Sequence, residues 1–288
     1  MTGLQVLAPG MQTLVQDLGR PGWAHVGVGR SGAADVEALR LANRLVANPE
    51  DAAGLEVLLG GLEVRAEGPV TVALTGAHGP AWVEGVPVGH GAVLEVPAGA
   101  VLRIGLAARG LRTYVAVRGG LATARELGSR SSDLHAGLGH AALAAGDVLP
   151  VGPAPADLPV VDVAPVRSWP DEVVVPLLPG PHADWFDDAV AALTAPGGYR
   201  VTPATDRVAV RLDGPPLRRI PDHAGRELAP IGLVPGAVQI PPDGLPIVFG
   251  PDHPVTGGYP VAAVVGRAGM AALAQVRPGD PVRFARPR

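Results

Sequence analysis

The chain has 288 residues, of which 47% are apolar and 17% charged, enough to fill one large core or two ordinary ones. Its formal charge of −4 gives no basic footprint for nucleic acid or anionic lipid. There is no cysteine and all 23 basic residues are arginine, so disulfides, thiolate nucleophiles, a biotinyl-lysine, a Schiff-base lysine and a Walker-type lysine are excluded.

The opening MTGLQVLAPG has no positive region followed by an apolar stretch, and Gly, Pro or charge interrupts every long apolar run. A soluble cytoplasmic protein without membrane contact is the simple expectation. Next comes QDLGRPG (16–22). It either presents Arg20 to a carboxylate or phosphate from a glycine-flexed loop, or ends a strand with a solvent-exposed arginine.

Residues 33–47 carry the clearest helical period. Val36, Ala38, Leu39, Ala42, Leu45 and Val46 share one arc, with Glu37, Arg40 and Arg44 opposite. Asp35 and Asn43 fall inside the apolar arc, so each needs a specific partner, in the protein or in a ligand. Ser31 or Gly32 is the expected N-cap, which puts Asp35 in the first turn. Asn43 and Asn48 are the only asparagines of the chain. The second reads as a left-handed residue ending the helix before Pro49.

From 69 to 118, short β-branched segments end in a turn signal after about 8–12 residues, the rhythm of a sandwich or barrel. A turn-then-strand phrase recurs in PAGAVLRIG (97–105), AAGDVLPVG (144–152) and RPGDPVRF (277–284). The run LGSRSSDL (127–134) holds three of five serines, with Arg130 and Asp133. Ser129, Ser131 and the neighbouring N–H groups either cradle an anion or cap a turn. Proline-rich residues 153–171 separate an N-terminal domain (1–152) from a C-terminal one (172–288). Shorter helices are predicted over 183–194 and 268–276. TGGY (256–259) brings backbone close to a ligand, with Tyr259 as hydroxyl donor, or is a plain hairpin. The eight histidines show no metal-ligand spacing, and no metal site is expected.

QDLGRPGW, SGAADVEALRLANRLVANPE and LEVLLGG, followed by VALTGA, YVAVRGGL, LGSRSSDL, GDVLPVG and LPGPHADWF, resemble the biotin-dependent carboxyltransferase family related to allophanate hydrolase subunit 2. VPGAVQIPPDGLPIVFGPDHPVTGGYP (234–260) and AQVRPGDPVRF extend the resemblance to the whole chain. It implies a mostly β fold of two cyclophilin-like β-barrel units with a few short helices. It also implies work in a complex with 5-oxoprolinase B-like and A-like proteins, which hydrolyses 5-oxoproline to glutamate at the expense of ATP. The component that binds ATP is not readable, and this chain carries no biotin.

In that reading Asp35 and Asn43 are the catalytic candidates. Arg20, Ser129, Arg130, Ser131, Asp133, Gln239, Gly257, Gly258 and Tyr259 are candidates for the substrate or an anion. The rivals are a carboxyltransferase component of urea or allophanate metabolism, and a non-catalytic partner of a kinase-inhibitor-like protein. Two departures from the family pattern stand beside the expected site: Pro230 in LAPIGL, and His253–Pro254 in PDHPVT.

Overall fold

A computed structural model describes residues 2–287. The chain forms two units. Residues 2–20 and 31–169 make the first, and residues 21–30 and 170–287 the second. The segment 21–30 thus groups with the later part of the chain, and the division after Trp169 falls inside the proline-rich stretch 153–171.

In the first unit, β1 (Gly3–Pro9), β4 (Leu62–Ala66), β6 (Ala81–Val83), β7 (Val86–Val88), β9 (Val101–Ile104) and β11 (Val148–Pro150) form one sheet, ordered β11-β1-β4-β9-β6-β7. The second sheet contains β2 (Gln12–Gln16), β3 (Gly54–Leu58), β5 (Val70–His78), β8 (Val93–Val96) and β10 (Arg109–Val117), ordered β2-β3-β10-β5-β8. Alternate side chains of both sheets, such as Leu4, Val6, Leu102 and Ile104 against Leu55, Val57, Val72 and Val115, make one apolar core. Strand β10 is buried continuously from Leu111 to Val117, because its second face is covered as well. There helix α1 (Val36–Leu45) packs, with Ala42 and Leu45 on the small residues Ala73 and Ala116.

The helix is shorter than its hydrophobic period. Asp35 itself is the N-cap, accepting from the Ala38 N–H at 3.1 Å, so neither Ser31 nor Gly32 caps it. At the other end Ala47 takes the left-handed conformation (φ 54°), not Asn48.

In the second unit, seven strands close a barrel: β12 (Val173–Pro179), β13 (Tyr199–Val201), β14 (Ala209–Asp213), β16 (Ala237–Gln239), β17 (Ile247–Phe249), β19 (Val261–Val265) and β20 (Pro281–Ala285). A two-stranded sheet of β15 (Ile231–Gly232) and β18 (Thr256–Gly257) stands apart from it. The barrel is antiparallel except where β12 meets β20. Val175, Leu177, Val238, Val248 and Phe284 are among its core residues.

The helix predicted over 183–194 is two elements, a 3-10 turn (Ala183–Trp185) and α2 (Ala189–Leu193). Asp188 interrupts the run by capping α2, accepting from the Ala191 N–H at 2.8 Å. The third helix, α3, covers Arg267–Leu273. The three recurring phrases each turn through a glycine of positive φ (Gly99, Gly146, Gly279) directly before β9, β11 and β20. The mostly β expectation with a few short helices holds. The closed barrel is the second unit, while the first keeps two separate sheets. Among the described residues no helix is long and apolar enough to cross a membrane.

Candidate functional site

The first turn of α1 is held by a buried polar network. The Tyr114 hydroxyl donates to Glu56 Oε2 at 2.7 Å and accepts from the Asp35 N–H at 2.8 Å. Glu56 also accepts from the Ala34 N–H at 2.9 Å and lies 3.4 Å from the Arg112 guanidinium. Burial, reinforced by the charges of Glu56 and Asp35, raises the Tyr114 hydroxyl well above its ordinary value, so it stays a neutral donor.

Asp35 is 1% exposed, yet it lines a cavity of 130 Å³ together with Thr75, His78, His90 and Arg167. The remaining oxygen of Asp35 lies 3.5 Å from Arg167 Nη1, which completes the neutralisation of a buried carboxylate at a helix N-terminus. His78 meets the Arg167 carbonyl through Nε2 at 2.9 Å. Because that oxygen only accepts, Nε2 is the donor. The His90 ring stacks on His78 at 5.7 Å with 14° between planes. Both His90 nitrogens lack a hydrogen-bond partner among the described residues, and burial, then the neighbouring charge of His78, holds this imidazole below its ordinary value. The Gly79 backbone tempers that effect without reaching hydrogen-bond geometry.

Asn43, the second catalytic candidate, is not part of this cavity. It is fully buried and donates to the carbonyls of Ala52 at 2.8 Å and Glu50 at 3.3 Å, tying the loop after α1 to the helix.

The structure gathers Arg20, Ser129, Arg130 and Ser131 around a residue the sequence reading passed over, Asp17. Its Oδ1 accepts from the Ser129 and Ser131 hydroxyls at 2.6 Å each and from the Gly19 N–H at 2.8 Å. Its Oδ2 accepts from the Arg130 N–H at 2.7 Å. The serine turn is therefore an anion cradle, and the anion is a carboxylate of the same chain. Ser129 and Ser131 are fully buried.

Arg20 is 1% exposed, against the alternative of a surface arginine, and its Nη2 donates to the Ser131 carbonyl. Its Nε and Nη1 have no partner among the described residues. The Arg130 side chain bonds the Thr123 carbonyl at 2.8 Å, and Asp133 caps a turn through the N–H groups of His135 and Ala136.

The remaining candidates lie in the second unit. Gln239 is buried and donates to the Tyr259 carbonyl at 3.0 Å. A Cβ on Gly257 would come within 2.7 Å of the Gln239 amide and 2.8 Å of Leu233, so a larger residue there would displace these side chains. Gly258 and the half-exposed Tyr259 line a cleft of their own. Upstream, Arg207 grips Asp252 bidentately at 2.7 and 3.0 Å, both residues buried. His253 beside them bonds the Pro254 carbonyl at 2.7 Å.

Sequence reasoning did not foresee Asp17, His78, His90, Arg167 or the Arg207–Asp252 pair. Only Asp17 had a signal, its place in QDLGRPG. The imidazole pair comes from the end of β5 and the turn before β8, which no spacing rule connects.

Comparison with known proteins places the chain in a family. The family described as carboxyltransferase domain, subdomain A and B, matches residues 26–286. The chain is 38% identical to the 5-oxoprolinase C subunit of Escherichia coli over 98% of its own length and 90% of that protein. It is 31% identical to the corresponding 5-oxoprolinase component of Haemophilus influenzae over the same shares. The solved urea amidolyase of Kluyveromyces lactis superposes with a TM-score of 0.92 at 29% identity, covering 99% of this chain. This chain spans only 19% of that longer one.

Proposed function

The chain belongs to the carboxyltransferase family, and from that premise we propose that it is the C component of an ATP-dependent 5-oxoprolinase, opening a lactam to an amino acid. The near full-length likeness to two bacterial 5-oxoprolinase components carries this reading. The small cavity at the N-terminus of α1 suits it chemically. A lactam carbonyl is a poor electrophile. Transfer of the γ-phosphoryl group of ATP to its oxygen, with ADP leaving, makes it a better one. Water then adds to the carbon, the ring C–N bond breaks with a proton going to nitrogen, and a second water releases phosphate from the resulting acyl phosphate. Asp35 and the imidazole of His90 supply proton acceptors in a shielded space, and Arg167 supplies a cation beside them. Arg20 and Asn43 act in this reading as positioning residues, fixing the serine turn and the loop after α1. Partners of the B and A type complete the catalyst.

The close superposition on urea amidolyase supports one rival, a carboxyltransferase acting on urea. The assembled complex is offered 5-oxoproline or urea, each with ATP. Glutamate release from 5-oxoproline alone is the expected result. Turnover of urea that depends on bicarbonate would establish the rival instead.

A further inference from the structure

Gly258 and Tyr259 form one side of the cleft in the second unit, and its other walls carry charge. The cleft measures 740 Å³, within the range of about 300–1,000 Å³ typical of small-molecule and cofactor sites. Arg218, Arg219 and Arg226 all line it. Elsewhere in this unit Arg207, Arg283 and Arg286 each reach a carboxylate. Among the described residues none of the three cleft arginines is in an ion pair, although Glu227 and Asp243 share the lining.

Two of these cations are held in place. The Arg219 and Arg226 guanidinium groups lie 5.4 and 5.6 Å from the ring centroid of Trp185, which is itself buried. His223 stacks on the same indole at 4.5 Å with 4° between planes. Arg219 Nη1 donates to the Arg226 carbonyl at 2.8 Å, fixing one end of the connecting loop against the other. Like charges converging on one indole repel one another, and an anion relieves that repulsion. Planar guanidinium forks match phosphate oxygens, and in a chain without lysine they are the side chains left for that task. One carboxylate would occupy a single fork. Three forks around a space of this size suit a chain of phosphates.

We propose that this cleft binds the polyphosphate of a nucleoside triphosphate, with Arg218, Arg219 and Arg226 on the phosphate oxygens. The inference rests on the reading that the complex consumes ATP, and it assigns the nucleotide to this chain. Titration calorimetry on the isolated 288-residue chain tests it with ATP, inorganic triphosphate, AMP and adenosine as probes. ATP and inorganic triphosphate should bind, more weakly as salt rises, with AMP at least tenfold weaker and adenosine silent.

Arg218 is exposed and holds no hydrogen bond or ion pair among the described residues, so Arg218→Glu should keep the melting temperature while weakening ATP at least tenfold. Failure of wild type to bind ATP, equal binding by Arg218→Glu, or binding of adenosine alone overturns the proposal. If the chain binds ATP but its complex releases no glutamate, the proposed function fails and the nucleotide site stands. If the complex releases glutamate and Arg218→Glu leaves its KM for ATP unchanged, the nucleotide site fails and the function stands.

Discussion

The Asn48 carboxamide donates to Asn43 Oδ1 at 3.1 Å, so the two asparagines of the chain are bonded to each other. Asn48 also donates to the Val117 carbonyl and accepts from the Gly119 N–H, both at 2.8 Å, while Asn43 holds the carbonyls of Glu50 and Ala52. Together they staple the end of α1 to the loop that follows and to the end of β10. Asn43→Leu and Asn48→Gly should each cost about 1–3 kcal/mol, because each strands buried backbone groups. Denaturant melts of both single variants and the double variant measure this, and the double variant should lose less than the sum. A loss of only a few tenths from Asn48→Gly would show that its bonds to Val117 and Gly119 contribute little.

Arg207→Lys should destabilise the second unit despite keeping the charge. An ammonium cannot reproduce the bidentate grip on Asp252, and both groups are buried. Breaking a buried pair costs about 3–5 kcal/mol, and the lysine should recover only part of that. Urea denaturation of Arg207→Lys beside Arg207→Ala reads the difference. Equal stability of wild type and both variants would mean that the pair contributes nothing.

Asp35→Asn separates capping from chemistry. Asparagine caps a helix about as well as aspartate, so the melting temperature should move little. The charge facing Arg167 and the cavity is lost, and turnover of the assembled complex should fall at least tenfold, about 1.4 kcal/mol in the barrier. Unchanged turnover would remove Asp35 from the catalytic set.

Burial, with the charge of His78 added, keeps His90 below its ordinary value of 6.5, and burial does the same to His253 and His182. In the window below 6.5 the unfolded chain therefore binds protons that the folded chain does not. Stability is present in full above that value and falls as pH drops through the window. His90→Phe keeps a ring against His78 and removes the titration, so its melting temperature should fall less steeply between pH 7 and pH 5.5. Parallel slopes for the two proteins would show that His90 does not contribute.

Much of the fold was legible because glycine and proline cut the sequence at the turns and left strand-length apolar segments between them. The positions of Asp35 and Asn43 on the apolar arc of α1 likewise announced buried partners. What those partners were could not be read. Asp35 became the cap itself, and Asn43 found a loop and Asn48 rather than a ligand. The serine turn was legible as a cradle, but its occupant, Asp17, is 112 residues from Ser129 and arrives only through the fold. His78 and His90 meet for the same reason, since strand ends are brought together by sheet order and local spacing carries no trace of it.

The most direct test of the central claim is an omission experiment on the reconstituted complex. Glutamate formed from 5-oxoproline and ATP is measured with the B-like and A-like partners alone, and again after this chain is added. The account predicts negligible glutamate from the partners alone, and turnover that rises with added chain until it saturates at a fixed ratio. Full glutamate production by the partners without this chain would contradict it.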